Sequence, residues 1–170
     1  MAVEEPAYTI EIQAGPIQVR EYPALIAAEV TVGGDPGAAS FSGFRLLAGY
    51  IFGGNTRKQS IAMTAPVIRG GSPGAWVVRF IMPHGSTLAN LPTPNDARVH
   101  LRPIPPSRIA VSRFSGSVGD GDVRRETETL ETFLAEYSLR TAGKPSLARY
   151  DPPWTPWFMR RNEIWIPLLG

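Results

Sequence analysis

The chain has no cysteine, only two lysines (Lys58 and Lys144) and only two histidines (His84 and His100) among its 170 residues. The first absence excludes disulfides, thiolate metal sites and cysteine nucleophiles together. Two histidines far apart in sequence do not form a zinc-type ligand pattern. Base is carried almost wholly by arginine, and the formal net charge is only +2. Arginines adjoin only at Arg124-Arg125 and Arg160-Arg161, too sparse a pattern for a phosphate-neutralising stripe, so no nucleic-acid partner is expected. No apolar run approaches the ~18 residues of a membrane span, and no membrane insertion is expected. The acidic start, Met1-Ala2-Val3-Glu4-Glu5-Pro6, lacks a hydrophobic signal region, so the expected location is cytoplasmic.

What is present is a globular composition, 43% hydrophobic and 19% charged, at a length expected to form one domain over residues 1–170. One residue in five is glycine or proline, which reads as many tight turns between short strands. Alternation predicts strands at Tyr8–Gln13, Ile17–Tyr22 and Leu25–Val32. Asp35-Pro36 then signals a helix start. That helix is expected over Pro36 to Phe52, with Phe41, Phe44, Ala48 and Ile51 on one apolar stripe widened by Leu47 and Tyr50. Gly43 and Gly49 each cost ~1 kcal/mol in a helix interior and need an offset, either close sheet packing or approach of a flat ligand. Strands follow near Ile61–Arg69, Ala75–Met82, Arg98–Arg102 and Arg108–Ser115. A second helix is expected from Asp120 or Asp122 to about Ala142, with Val123, Leu130, Leu134 and Tyr137 facing the core. Strands Ser146–Tyr150 and Asn162–Leu168 close the chain.

The order strand, glycine-rich turn, helix, two strands occurs twice, over roughly residues 8–83 and 98–169, with a glycine pair at Gly33-Gly34 in the first and spaced glycines Gly116, Gly119 and Gly121 in the second. Two β-α-β-β units, neither able to bury its own apolar face, predict an α+β fold. It would be a pseudo-twofold duplication forming a distorted antiparallel β-barrel or sheet with two main helices.

Catalytic signatures are poor. Gly70-Gly71-Ser72-Pro73-Gly74 fits G-x-S-x-G, but it joins two predicted strands, whereas a nucleophile elbow joins a strand to a helix. Asp120-Gly121-Asp122 reads as a helix cap rather than a calcium loop. No catalytic residue is assigned, and the chain is expected not to be an enzyme. Three segments stand out instead. Pro66 interrupts the good strand Ile61–Val67. Tyr150-Asp151-Pro152-Pro153-Trp154-Thr155-Pro156-Trp157-Phe158 crowds aromatics into a loop. Met159-Arg160-Arg161-Asn162-Glu163 puts two cations and a carboxylate at the start of the last strand, where a structural ion pair competes with a ligand-binding role.

These segments also carry a family resemblance. The opening Ile12…Arg20-Glu21-Tyr22, the helix Phe44-Arg45-Leu46-Leu47-Ala48-Gly49-Tyr50-Ile51 and the block Met63-Thr64-Ala65-Pro66-Val67 resemble the SOUL/haem-binding protein family. So does Tyr150-Asp151-Pro152-Pro153 with Arg160-Arg161-Asn162-Glu163-Ile164-Trp165. The resemblance spans nearly the whole chain in order. It implies noncovalent binding of haem, or of another porphyrin, for buffering or transport. A flat apolar disc with two edge carboxylates needs apolar walls and one or two cations. Phe41, Phe44 and Ala48 are candidates for one wall, with Met63 below and Trp154 or Trp157 as a flap. Met159 lies beside the flap, and Arg45, Arg160 and Arg161 are candidates for the propionates. Some members carry a histidine where Glu21 stands here, which leaves His84, Met63 and Met159 as candidate iron ligands. Some carry basic residues near the propionates at first-helix positions that Phe41 and Gly49 occupy here.

Two rivals accompany this expectation. One is an effector-binding module for hydrophobic cations, in which Glu21 or Glu163 meets the positive charge. The other is an enzyme acting on the tetrapyrrole itself.

Overall fold

The computed structural model describes residues 3–152 and 154–170 of the chain. The fold is α+β. Among the described residues it has nine strands, all paired antiparallel where they meet within a unit, and two α-helices. The residues cluster into two compact units. One takes the segment up to Pro6 and Ala24–Pro105, the other Ala7–Pro23 and Pro106–Gly170. Every crossing between them falls at a proline, a residue that cannot donate to a strand ladder.

The first unit contains β3 (Leu25–Val32), α1 (Pro36–Ile51), β4 (Val67–Ser72), β5 (Ala75–Ile81) and β6 (His100–Ile104). Its strands lie in the order β4-β5-β3-β6. Helix α1 begins as the sequence requires: the Asp35 carboxylate accepts from the Ala38 N–H at 2.9 Å, and Pro36 opens the first turn. The helix packs on β3 and β5 through Ala39, Gly43, Leu47, Tyr50 and Ile51. Leu47 is fully buried, a gain of about 1.5–3 kcal/mol over exposure. A Cβ at Gly43 would lie 2.6 Å from a Val78 methyl of β5. Close sheet packing is therefore what offsets that glycine in the helix. Gly49 points into open space.

The expected stripe of α1 is corrected here. Leu47, Tyr50 and Ile51 do face the core, but Phe41 is 67% exposed and Phe44 and Phe52 are also exposed. Small residues, Ala39 and Gly43, occupy the sheet-facing side, so the bulky phenylalanines are displaced to the outer face. Residues 61–66 also depart from the expected strand, which begins only at Val67. Ahead of it the Thr64 hydroxyl donates to Ile81 O at 2.5 Å and Ala65 N–H to Glu4 O at 2.9 Å. Gly70–Gly74 is the β4–β5 hairpin, so the G-x-S-x-G string is a turn.

The second unit contains β1 (Thr9–Ala14), β2 (Ile17–Tyr22), β7 (Ser107–Phe114), α2 (Asp120–Glu136), β8 (Ser146–Arg149) and β9 (Asn162–Leu168). Its order is β1-β2-β7-β9-β8. Neither unit's strands close into a barrel. Helix α2 covers one face with Leu130, Phe133 and Leu134 over Val19, Leu147, Ile164 and Ile166. It stops six residues before the expected end because Ser138 adopts φ 54 and Leu139 N–H returns to Leu134 O at 2.9 Å.

The repeated order is present as β3-α1-β4-β5 and β7-α2-β8-β9, yet the repeats and the compact units do not coincide. Strands β1 and β2, from the first repeat's stretch of sequence, join the second unit, and β6 joins the first.

Candidate functional site

On the face of the second unit's sheet away from α2, alternation places Arg20 and Tyr22 of β2 beside Glu163 and Trp165 of β9. Glu163 is fully buried and Arg20 is 1% exposed. The pair is bidentate: Arg20 Nη1 and Nη2 donate to Glu163 Oε1 and Oε2, each at 2.8 Å. Glu163 Oε1 also accepts from the Tyr150 hydroxyl at 2.6 Å and from Trp165 Nε1 at 2.9 Å. Its Oε2 also accepts from Arg161 Nε and Nη2 at 3.2 and 3.1 Å. The Arg20 guanidinium donates further to Gln18 and the Tyr22 hydroxyl and lies 4.2 Å from the Tyr8 ring centroid.

Burial pushes the Glu163 carboxyl up, but the hydrogen bonds and charge of Arg20, with Tyr150 and Trp165, outweigh it and hold the group at about 2. Burial also raises the Tyr150 phenol, with the Glu163 charge next, and takes Tyr22 up to about 12. At neutral pH this cluster holds no mobile proton and no unused carboxylate oxygen. It is neither a general base nor an open cation site.

The cluster pins the foot of the aromatic loop. Tyr150 N–H donates to Arg161 O at 3.2 Å, and Arg161 N–H to Asp151 Oδ2 at 2.5 Å. The Arg161 guanidinium stacks 3.8 Å from the Tyr150 ring centroid. Above that foot, Trp154 is 83% exposed, and the 3₁₀ turn Trp157–Met159 turns all three of its side chains outward. Arg160 Nε donates to Thr155 O at 2.8 Å. Arg149 is half-buried at the same end of the sheet, and burial, with the Arg160 charge second, pulls its pKa down.

In the first unit, the outer face of α1 presents Phe41, Phe44, Ala48 and Phe52 around Arg45. Phe44 is fixed edge-on against buried Phe80, with centroids 5.7 Å apart. The Arg45 guanidinium lies 6.0 Å from the Phe41 ring centroid and has no carboxylate partner among the described residues. Beside it runs an open groove of about 520 Å³, bounded by Thr31 and Val32 of β3, Ser42, Arg45 and Leu46 of α1, and Arg98. Arg98 is tied to Asp96 by two side-chain bonds at 3.0 and 2.7 Å, so Arg45 is the cation this face offers.

Residues 3–167 match the family described as SOUL heme-binding protein. The chain belongs to the SOUL family. No curated protein shows a significant match to the sequence. Solved structures share the fold at low identity. The EcmrR C-terminal domain aligns at 12% identity with a TM-score of 0.66, covering 96% of this chain and 98% of that one. A protein described as a hydrolase from Listeria innocua gives 12% and 0.66, with 94% of each chain covered. SAV2435 bound to tetraphenylphosphonium gives 14% and 0.52, covering 91% and 94%.

Of the residues the SOUL resemblance singled out, Phe41, Phe44, Arg45 and Ala48 share one outer face of α1 in the first unit. Met63, in that unit, packs partly buried against its core with Leu46 and Val67. Exposed His84 follows β5, its backbone N–H donating to Glu4 Oε2 at 2.7 Å. Trp154, Trp157, Met159, Arg160 and Arg161 all belong to the loop of the second unit. Among the described residues no three His, Asp or Glu side chains gather as a metal site. Glu21 is exposed. Sequence reasoning paired neither Arg20 with Glu163 nor Tyr150 with Glu163. The available signal was the i, i+2 spacing of Arg20/Tyr22 and Glu163/Trp165, polar residues alternating with core positions on two strands.

Proposed function

We propose that this SOUL-family chain binds a tetrapyrrole noncovalently, haem or another porphyrin, as a carrier or buffer. The supporting observation is the outer face of α1. Three exposed phenylalanines and an alanine surround an arginine free of any carboxylate, on a helix held rigid by its buried side. One face of the ring would lie on Phe41, Phe44 and Ala48, and Arg45 would donate to a propionate. Such a charge-assisted bond contributes about 1.5–3 kcal/mol. The α1 face carries no imidazole, thioether or thiolate, and its Tyr50 hydroxyl is spent on Pro92 O at 2.7 Å. The residues therefore fit the ring and its carboxylate and offer the iron no ligand.

A hydrophobic cation is the weaker ligand class. The buried carboxylate that would attract it, Glu163, is filled by two arginines, a tyrosine and a tryptophan.

Hemin titrated into the protein should give a shifted Soret band saturating near one equivalent. The Phe41→Ser/Phe44→Ser variant should weaken binding about 30-fold or more, from the apolar area lost, and Arg45→Gln about tenfold. A spectrum identical to free hemin, or equal affinity in all three proteins, overturns the proposal.

A further inference from the structure

We propose that Trp154 and the turn Trp157–Met159 dock the protein peripherally on an anionic lipid surface. The four tryptophans divide sharply. Trp76 and Trp165 satisfy their indole N–H groups within the protein, on Gly34 O at 3.1 Å and Glu163 Oε1 at 2.9 Å. Trp154 and Trp157 turn outward, and their indole N–H groups meet no acceptor among the described residues. Phe158 and Met159 are exposed beside them, at 62% and 65%. Four large apolar side chains within six residues cost solvent contact and add nothing to the unit's core.

A flexible tip would fold such residues back. This one is anchored at its foot by the Tyr150–Arg161 backbone bond, the Asp151–Arg161 bond and the stacked Arg161 guanidinium, so it holds its apolar side chains out. Trp157 rests an edge on Gly116, with a ring carbon 3.7 Å from where a Cβ would stand. The indole suits the boundary between hydrocarbon and headgroups, where its ring is apolar and its N–H finds carbonyl acceptors.

The charge around the tip selects the sign of the headgroups. Arg149 and Arg160 neighbour each other, and the Arg149 guanidinium makes no hydrogen bond or ion pair among the described residues. Asp151, the only carboxylate in the loop, accepts from Arg161 N–H. A half-desolvated cation beside a second cation gains most from a negatively charged surface. Aromatic wedge and cationic foot together form the amphipathic pattern of an interfacial anchor. The proposal stands independently of tetrapyrrole binding on α1.

The test is sedimentation of the full chain with vesicles of phosphatidylcholine alone or with about one-third phosphatidylglycerol, with no tetrapyrrole present. Binding to the anionic vesicles is expected, with a blue shift in tryptophan emission, and little binding to the neutral ones. Trp154→Ala/Trp157→Ala should lower the partition coefficient about 100-fold, roughly tenfold per ring. Arg149→Gln/Arg160→Gln should lower it about 25-fold, roughly fivefold per charge. Circular dichroism checks that the variants fold, and if the half-buried Arg149 change unfolds the protein, the tryptophan variant carries the test. No binding to either vesicle overturns the proposal, as does binding that the tryptophan variant retains. Self-association that Trp154→Ala/Trp157→Ala abolishes, without vesicle binding, would make the loop's partner a second copy of the chain and equally overturn it.

Discussion

Replacing Glu163 by alanine should be among the most damaging single changes in the second unit. It leaves Arg20 charged at 1% exposure with only neutral acceptors, Gln18 and Tyr22, and with the Arg161 cation nearby. It also strips the acceptor from Tyr150 and Trp165. Removing one partner of a buried pair costs about 3–5 kcal/mol, a large share of the roughly 5–15 kcal/mol that holds a domain folded. Arg20→Met should cost less, about 2–3 kcal/mol, because Arg161 stays on Glu163 Oε2 and compensates the remaining charge. Acid should show the same linkage. Glu163 is held at about 2 when folded, against roughly 4.3 for a free glutamate. As pH falls below about 4.5 the unfolded chain takes up this proton first, so the pair's contribution is complete above that pH and is lost on the way to 2. Urea unfolding at pH 7, 4.5 and 2.5 measures both effects. A loss under 1 kcal/mol for Glu163→Ala, or an Arg20→Met change costlier than it, would refute the reasoning. So would a wild-type acid slope that persists unchanged in Arg20→Met/Glu163→Leu.

Three further outcomes follow from the geometry. Gly43→Ala should destabilise by about 1–3 kcal/mol despite alanine's better helix propensity, because its methyl meets Val78 at 2.6 Å; thermal unfolding that shows a gain would contradict the packing described. Asp35→Ala should cost about 1 kcal/mol through the lost cap on Ala38 N–H, measured by the same unfolding assay. Metal-free protoporphyrin IX should bind within about threefold of hemin, since the α1 face brings no iron ligand; competition titrations giving hemin a 30-fold advantage would point to coordination by a protein group.

Local signals carried much of the fold. Asp35-Pro36 marked the start of α1, Gly-Gly-Ser-Pro-Gly marked a hairpin, and the doubled strand-helix-strand-strand order is present in β3-α1-β4-β5 and β7-α2-β8-β9. The rivalry between ion pair and ligand contact at Arg160-Arg161-Asn162-Glu163 was also visible; the structure puts Arg161 on Glu163. What stayed hidden depends on partners distant in sequence. Alternation says which residues of β2 share a face, and nothing in it names β7 as the neighbouring strand. The outer phenylalanines of α1 were misplaced for another reason. The helix is apolar almost all round, and hydrophobicity alone ranks Phe41 above Gly43 for burial, while close approach to Val78 demands the reverse. Nothing in either strand alone pairs Arg20 with Glu163, because each is read against its own strand and their mutual neutralisation exists only after pairing.

The exchange of strands between the two halves has a temporal consequence. On the ribosome the hairpin β1–β2 emerges first, yet the partner of Tyr22 is Ser107, which is synthesised about 5–15 s later at ordinary elongation rates. Until then Ile17 and Val19 have no core to enter, whereas residues 24–105 already hold every strand of the first unit. The first unit would therefore settle before the second, with β1 and β2 waiting on strands made after them.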